Sequence, residues 1–402
     1  MNPSFSGLPV RGLIVALLLS AGCSAPPVYT TSFETPPAEE GWQCKGGVDV
    51  ALPGPADGWV SEDASHGQRC IAATAGMWLS PPMAMEPLKF YRVDFQSKTP
   101  SPGYWVAQFF DADGREIPAD DYSNVFASDD WARNVDYVLG RTGMQSARLG
   151  FRAGQRPMLI DDVSVRAALR SEVRRWADAL YATLPPVAYR PDADRWQYLQ
   201  ATRQKLRRRQ PLRLVLLGDS IANDLGNSHF HLLIERMYPG SQITLIPSVR
   251  GGAGCWYYKE RGRIKRYVLD YQPDLLMIAG VSHHFDVESV RSVVRQVRDG
   301  SNCDILVMTG ALSNPQGGSY SPSWQRFNTR DEALRKLKEF ADALAAAGRQ
   351  DGFATLDLRG LWEGYLETSP RPADWFHRDP VHGNSRGKQI IGRIVARFFQ
   401  RD

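Results

Sequence analysis

The chain has 402 residues, 43% of them hydrophobic, and its 48 Lys+Arg against 44 Asp+Glu leave a formal charge of +4. That length exceeds what one core ordinarily holds, so two domains are expected. A charge this small, with the basic residues spread out, gives no footprint for nucleic acid.

The first residues read as a sorting signal. Arg11 precedes the apolar run from Leu13 to Leu19, which is too short to span a bilayer as a mature helix and suits the apolar centre of a signal peptide. The run ends in Ser20-Ala21-Gly22-Cys23, small residues before a cysteine. This resembles a bacterial lipoprotein signal, which implies that residues 1–23 are a leader ending at the lipidation site Cys23. The usual leucine three places before the cysteine is Ser20 here. Ser24 after the cysteine resembles the class sorted to the outer membrane. The expectation is therefore an exported protein, lipid-anchored to a bacterial membrane and facing the periplasm or the cell surface.

From about residue 30 to 166, short apolar stretches are broken by Gly, Pro, Asp and Ser. Tyr91, Val93 and Phe95 alternate with polar neighbours, as do Leu149 and Phe151, and so does the run from Leu159 to Val165. Strands at this spacing predict an all-β antiparallel sandwich. Phe33-Glu34 at its start and Ile160-Asp161-Asp162-Val163 at its end resemble the first and last strands of jelly-roll carbohydrate-binding modules. Trp42, Trp59, Trp78, Trp105 and Trp131 lie in this region, where an exposed indole suits the C–H face of a sugar and a buried one simply fills the core. Cys44 and Cys70 fall in the same β-rich stretch, and in an oxidising compartment a disulfide between them is expected, with Cys255 and Cys303 left free.

Residues 167–210 read as a helical connector. Leu169, Val173, Trp176, Leu180 and Leu184 recur on one helical face, and Pro185-Pro186 ends it. A second helical stretch is expected from Asp192 to Arg209, with the basic end from Lys205 to Arg209 complementing the helix C-terminus.

From residue 211 to 402 the rhythm becomes strand, turn, helix. Leu212–Leu217, Gln242–Ile246, Asp274–Ala279, Asp304–Met308 and Phe353–Leu358 are apolar runs of strand length. Between them lie helical patterns, such as Val290, Val294 and Val297 after the cap Asp286 and before Gly300. This predicts an α/β fold of three layers, α/β/α, around a parallel sheet, with the ligand site outside the carboxyl ends of the strands.

The chemistry-bearing motifs fall at those ends. The first strand runs into Gly218-Asp219-Ser220, with a helix expected to begin near Asn223 or Asp224. A serine at a strand-to-helix turn stands exposed above the sheet, although Gly-Asp-Ser is also a common turn. Asp379-Pro-Val-His382 precedes the final helix, whose Ile391, Ile394, Val395 and Phe398 dock on the sheet. A serine hydroxyl needs a base within hydrogen-bond reach, itself oriented by a carboxylate, and an Asp and a His three apart on one loop supply both.

Together the two motifs resemble the SGNH (GDSL-type) hydrolase family, over about residues 211 to 402, and Asn384 and Gly387 also fit that family's closing block. The resemblance implies a serine esterase with Ser220 as nucleophile, His382 as acid–base and Asp379 as its orienting partner. It also implies an oxyanion hole from the Ser220 backbone N–H, the N–H of Gly251, whose missing Cβ leaves room for the acyl group, and a third block after the third strand. That third block departs from the family's pattern: the expected Gly-x-Asn-Asp reads Gly280-Val281-Ser282-His283, which makes Ser282 and His283 the candidate donors.

Cys255-Trp256-Tyr257-Tyr258 follows the glycine loop at the substrate rim, where Trp256 and Tyr257 fit either a sugar platform or a hydrophobic lid. His229 and His231 lack metal-ligand spacing and read as structural, and no HExxH or CxxC occurs, so no metal or other cofactor is implied. The added sandwich, export and rim aromatics favour an O-acetylated polysaccharide or glycan as substrate. A lipase or lysophospholipase, an O-acyltransferase, or a non-catalytic glycan-binding lipoprotein are the alternatives.

Overall fold

The computed structural model describes residues 26–46, 58–61, 63–311, 327 and 329–401. The expected leader and Cys23 lie outside these residues. Among the described residues no helix is long and apolar enough to cross a membrane.

The described chain opens with β1 (Pro27–Thr31), β2 (Gln43–Lys45), β3 (Trp59–Val60), β4 (Cys70–Ala73), β5 (Met77–Leu79), β6 (Met83–Ala84), β7 (Phe90–Thr99), β8 (Gly103–Phe110), β9 (Glu116–Val125), β10 (Ser128–Leu139), β11 (Ser146–Arg152) and β12 (Met158–Ala168). They pair antiparallel into two sheets, one in the order β10-β7-β12-β4-β3 with β1 beside β12, the other β2-β5-β11-β8-β9 with β6 beside β11. The period-2 pattern explains this pairing: along β7, Val93, Phe95, Ser97 and Thr99 turn inward while their neighbours face out. Phe95, Trp105, Phe109 and Phe151 fill the space between the sheets, together with Trp42 and Trp78. Three of the five tryptophans are thus core. Trp59 and Trp131 are half-buried, and their indole N–H groups donate to Phe33 O at 2.8 Å and Asp63 Oδ1 at 3.2 Å.

The expected Cys44–Cys70 disulfide is corrected: both thiols are free. Cys44 lies on β2 against Trp78, whereas Cys70 lies on β4 in the opposite sheet, its Sγ turned to Asp63 O at 3.4 Å. Sequence proximity was no guide because strands close in the chain, such as β2 and β4, fall in different sheets. Burial pushes the Cys70 thiol up to about 12, as expected of an inert buried sulfhydryl.

The connector holds α1 (Arg170–Ala182) and α2 (Gln200–Arg207). The second is shorter than expected, since the residues before Gln200 form turns that tuck Trp196 and Leu199 into the core.

Five parallel strands follow: β13 (Leu212–Gly218), β14 (Ile243–Val249), β15 (Leu275–Ala279), β16 (Asp304–Met308) and β17 (Ala354–Leu356). Their order is β14-β13-β15-β16-β17. Around them lie α3 (Ser220–Gly226), α4 (Phe230–Met237), α5 (Cys255–Tyr258), α6 (Arg263–Tyr267), α7 (Val287–Gly300), α8 (Arg330–Asp351), α9 (Leu358–Thr368) and α10 (Ser385–Phe398). Alternate residues of β13 feed opposite layers. Leu212, Leu214 and Leu216 pack with α10 residues Ile391, Ile394 and Val395, while Val215 and Leu217 pack with α7 residues Val290, Val294 and Val297. This is the expected α/β/α arrangement, and the chain reverses its direction of travel across the sheet beside β13, where such folds open a crevice.

Sandwich and α/β layers are not separate bodies. Phe90, Ala119, Tyr137 and Leu139 belong to the same buried cluster as α4 and α10. His229 and His231 sit in this seam, the first with Nε2 3.0 Å from Tyr137 O, the second stacked on Phe90 at 6.0 Å between centroids, so both histidines are structural. Arg141, 1% exposed, reaches across it to the Asn227 and Asn223 Oδ1 atoms at 2.8 and 3.3 Å.

Candidate functional site

The turn that carries Ser220 is built by close approach. A Cβ on Gly218 would stand 2.0 Å from Ala279 O, so glycine is what lets the end of β13 run against β15. Asp219 then caps α3, its Oδ1 accepting from the Ile221 and Ala222 N–H groups at 2.9 and 3.4 Å. The helix therefore begins at Ser220 itself, three residues earlier than expected, because the aspartate before the serine is the cap. Its other oxygen accepts from the Val281 and Ser282 N–H groups at 2.8 and 2.7 Å. Asp219 thus fastens the turn after β13 to the loop after β15. Gly280 makes the space, since a Cβ there would lie 2.4 Å from Asp219 Oδ1.

Asp379 and His382 lie on a tight loop that a bridge between His377 and Gly383 closes. Asp379 Oδ1 accepts from the backbone N–H groups of Val381 and His382 at 2.9 and 2.8 Å. The His382 Nδ1 lies 2.9 Å from both carboxylate oxygens, and its Nε2 lies 2.8 Å from Ser220 Oγ. Burial opposes ionisation of Asp379, but the hydrogen bond and charge of His382 and the two backbone donors outweigh it and hold the carboxyl well below its ordinary range. An ionised Asp379 holds the proton of His382 on Nδ1, which leaves Nε2 to accept the serine hydroxyl proton. Such a chain can make an alkoxide-like nucleophile at neutral pH.

A second aspartate, missed in the sequence, secures that loop. Asp224, buried on α3, accepts from Gly383 N at 3.1 Å through Oδ2 and pairs with Arg378 Nη1 at 3.1 Å through Oδ1. Arg378 also donates to Tyr122 O at 3.2 Å, and the Tyr104 hydroxyl donates to Arg378 O at 3.2 Å. The residues flanking Asp379 and His382 are therefore tied to the nucleophile helix and to β8 and β9 of the sandwich. The available signal was spacing: Ser220 and Asp224 stand four apart on one helix and share a face. Asn384 caps α10 with its side chain, accepting from Arg386 N at 2.9 Å.

No family model matches the chain, and no curated protein matches it. Solved structures do resemble it in part. A variant of Axe2, an acetyl-xylooligosaccharide esterase from Geobacillus stearothermophilus, is 16% identical, with 48% of this chain and 95% of that one covered, at a TM-score of 0.38. A two-domain esterase described as active on acetylated mannans is 14% identical over 50% of this chain and 52% of its own, at 0.39. The CBM22-1 xylan-binding domain of Paenibacillus barcinonensis Xyn10C is 15% identical over 36% of this chain and 96% of its own, at 0.28. At these scores the likenesses carry no argument about activity, which rests on the residues themselves.

The expected oxyanion donors are placed unequally. Gly251 lies in the turn after β14, anchored where Arg250 N donates to Gly218 O at 2.9 Å. Apart from its chain neighbours, no atom of the described residues lies within 4 Å of where its Cβ would be, so the space beside it is open. Ser282 is tied down by its backbone N–H to Asp219 and by its carbonyl, which accepts from the Trp256 indole at 2.9 Å. His283 turns into the core instead. It is 3% exposed, stacks on Phe340 of α8 at 6.3 Å, and its Nδ1 faces Cys255 N at 3.5 Å. Because Nδ1 accepts from Cys255 N, a neutral ring carries its proton on Nε2, which is buried without a partner among the described residues, so His283 keeps an N–H donor. Burial pushes its imidazole below the ordinary range, so it stays neutral.

At the rim, Tyr258 is buried and donates to Gly218 O at 2.7 Å, which binds α5 to the nucleophile turn. Trp256 is 36% exposed and stacks on His284 at 5.1 Å with 12° between the planes. His284 and Phe285 hold φ of 54° and 56°, left-handed values that cost non-glycine residues energy and bend the loop to meet Trp256.

Proposed function

We propose that the chain is a serine esterase that removes O-acetyl groups from a polysaccharide or glycan, with Ser220, His382 and Asp379 as its catalytic residues. The observation that carries this reading is the continuous path from Asp379 through His382 to Ser220 Oγ, with contacts of 2.9 and 2.8 Å, at the carboxyl ends of β13 and its neighbours.

Ser220 Oγ attacks the ester carbonyl as His382 takes its proton. His382 then returns that proton to the leaving sugar hydroxyl, leaving an acetyl-enzyme. Water, deprotonated by the same imidazole, attacks the acyl carbon, and acetate departs as Ser220 regains its hydrogen. The N–H groups of Ser220 and Gly251, with the Ser282 side chain, are the donors proposed for the oxyanion, each worth about 3 to 4 kcal/mol in such a site. The open space beside Gly251 and the exposed indole of Trp256 support a carbohydrate substrate.

The test is Ser220→Ala on p-nitrophenyl acetate and on acetylated polysaccharide, where acetate release should fall by about 10⁶-fold. A rate unchanged on both substrates would overturn the assignment.

Four parts are proposed: a leader over residues 1–23, a carbohydrate-binding-type sandwich over 30–166, a connector over 167–210 and the catalytic part over 211–402. Lipidation at Cys23, with an outer-membrane, periplasmic or cell-surface location, belongs to the same reading and is supported by the leader's sequence. Cys23→Ser should move the protein from the membrane fraction to the soluble one; retention in the membrane counts against the anchor.

A further inference from the structure

The rim beside Ser220 carries a charge pattern that the fold does not use. Between Arg250 and Val268 the chain places Arg250, Lys259, Arg261, Arg263, Lys265 and Arg266 against the single acid Glu260. Lys265 pairs with Asp270, and Lys259 donates to Ser289 Oγ. Arg250, Arg263 and Arg266 have no carboxylate partner among the described residues, and they gather on aromatic faces instead. The Arg250 and Arg263 guanidinium carbons stand 5.3 and 3.6 Å from the centre of the Tyr257 ring, and that of Arg266 stands 5.5 Å from the Tyr267 ring. Tyr257 and Tyr267 are 6.2 Å apart and Tyr257 and Trp256 6.1 Å, so the arginines and the exposed indole form one continuous strip.

This strip is held rigidly against the site. Arg250 N and the Tyr258 hydroxyl both donate to Gly218 O, two residues from the nucleophile, and the Trp256 indole donates to Ser282 O. Three like charges within one strip repel one another, a cost that a bound anion relieves. Arg263 spends one N–H on the Tyr257 carbonyl, to which Nη1 donates at 2.8 Å, while Arg250 and Arg266 are exposed and keep the planar fork that matches a carboxylate. Val268 and Ile264 are buried, so the strip presents mainly aromatic planes and cations.

Resting on the esterase reading above, we propose that the substrate is an anionic, uronate-bearing glycan, its carboxylates bound by Arg250, Arg263 and Arg266 and a sugar ring seated on Trp256. The reaction is unchanged: one water is added across the O-acetyl bond, giving the sugar hydroxyl and acetate.

The test compares acetylated polygalacturonate with acetylated xylan, using p-nitrophenyl acetate as a small reference ester. For the full-length protein, KM for the polygalacturonate should be the lower at low salt and should rise with ionic strength, while KM for xylan stays level. In the double variant Arg250→Gln/Arg266→Gln, kcat/KM on polygalacturonate relative to p-nitrophenyl acetate should fall about fivefold, the effect of two exposed charge contacts. Equal KM values for the two polymers without salt dependence overturn the proposal. So does a double variant that loses binding to phosphatidylglycerol vesicles while handling polygalacturonate like the parent, because the strip then meets a membrane. Acetate release that persists in Ser220→Ala overturns the esterase reading instead, and Ser220→Ala binding polygalacturonate as tightly as the parent would show that the anion strip stands without it.

Discussion

The two halves of the site are held by different parts of the molecule. The Ser220 turn is fastened mainly within the α/β layers: Asp219 joins it to the loop after β15 and Tyr258 joins it to α5, while further along α3 Asn223 meets Asp120 O and Arg141 of the sandwich. The Asp379–His382 loop is fastened from behind, by Asp224 and Arg378, and through Arg378 by Tyr104 and Tyr122 of the sandwich. At the serine itself the first half is held by its own sheet. The second half depends on a part of the chain more than 250 residues earlier, so the sandwich is a structural wall of the site whatever else it binds.

This contrast can be tested by cutting each fastening. The largest effect is expected from Asp224→Ala, which takes the buried carboxylate from Arg378 and leaves Lys388 with Asp121 alone. Breaking such a pair costs about 3 to 5 kcal/mol, to be read in chemical denaturation, with kcat falling more than KM changes because His382 loses its register. Equal stability with full kcat would show that the Asp224 fastening is dispensable.

Asp219→Asn should cost less, about 1 to 3 kcal/mol, because the amide keeps one acceptor and turns its nitrogen toward donors. Its effect on rate should come through the Ser282 loop, so it should add to the Asp224 effect and not replace it. A double variant no slower than either single one would merge the two halves into one unit.

The smallest effect is a slope. Burial in the seam between sandwich and α/β layers pushes His229 down to about 4, outweighing the opposing pull of Asp121 and the Tyr137 carbonyl. The unfolded imidazole titrates near about 6.5, so burying it neutral contributes stability that is whole above that pH and is lost as pH falls toward 4. His229→Gln should flatten the dependence of Tm on pH between about 6 and 4 relative to the parent. An identical slope in both proteins would remove His229 from the seam's acid response.

Much of this was legible in the residues. The five apolar runs became the five parallel strands, Asp286 capped its helix, and Ser220, Asp379 and His382 met as their motifs implied. Local pattern suffices for such features, because a period of side chains or a cap acts within a few residues. Cys44 and Cys70 were misread because sheet membership is a long-range choice between strands close in sequence. His283 shows a related limit: spacing gives a residue's place on a loop, while the packing of α5 and α8 gives the direction of its ring.

The sequence by itself therefore determined the order of elements and the identity of the three residues at the strand ends, since each depends on local periodicity and on motif chemistry. The tertiary structure alone decided what holds them. Asp224, Arg378 and the sandwich strands meet the Asp379–His382 loop only when distant segments pack, and burial there turns ordinary charged side chains into fixed hydrogen-bond partners.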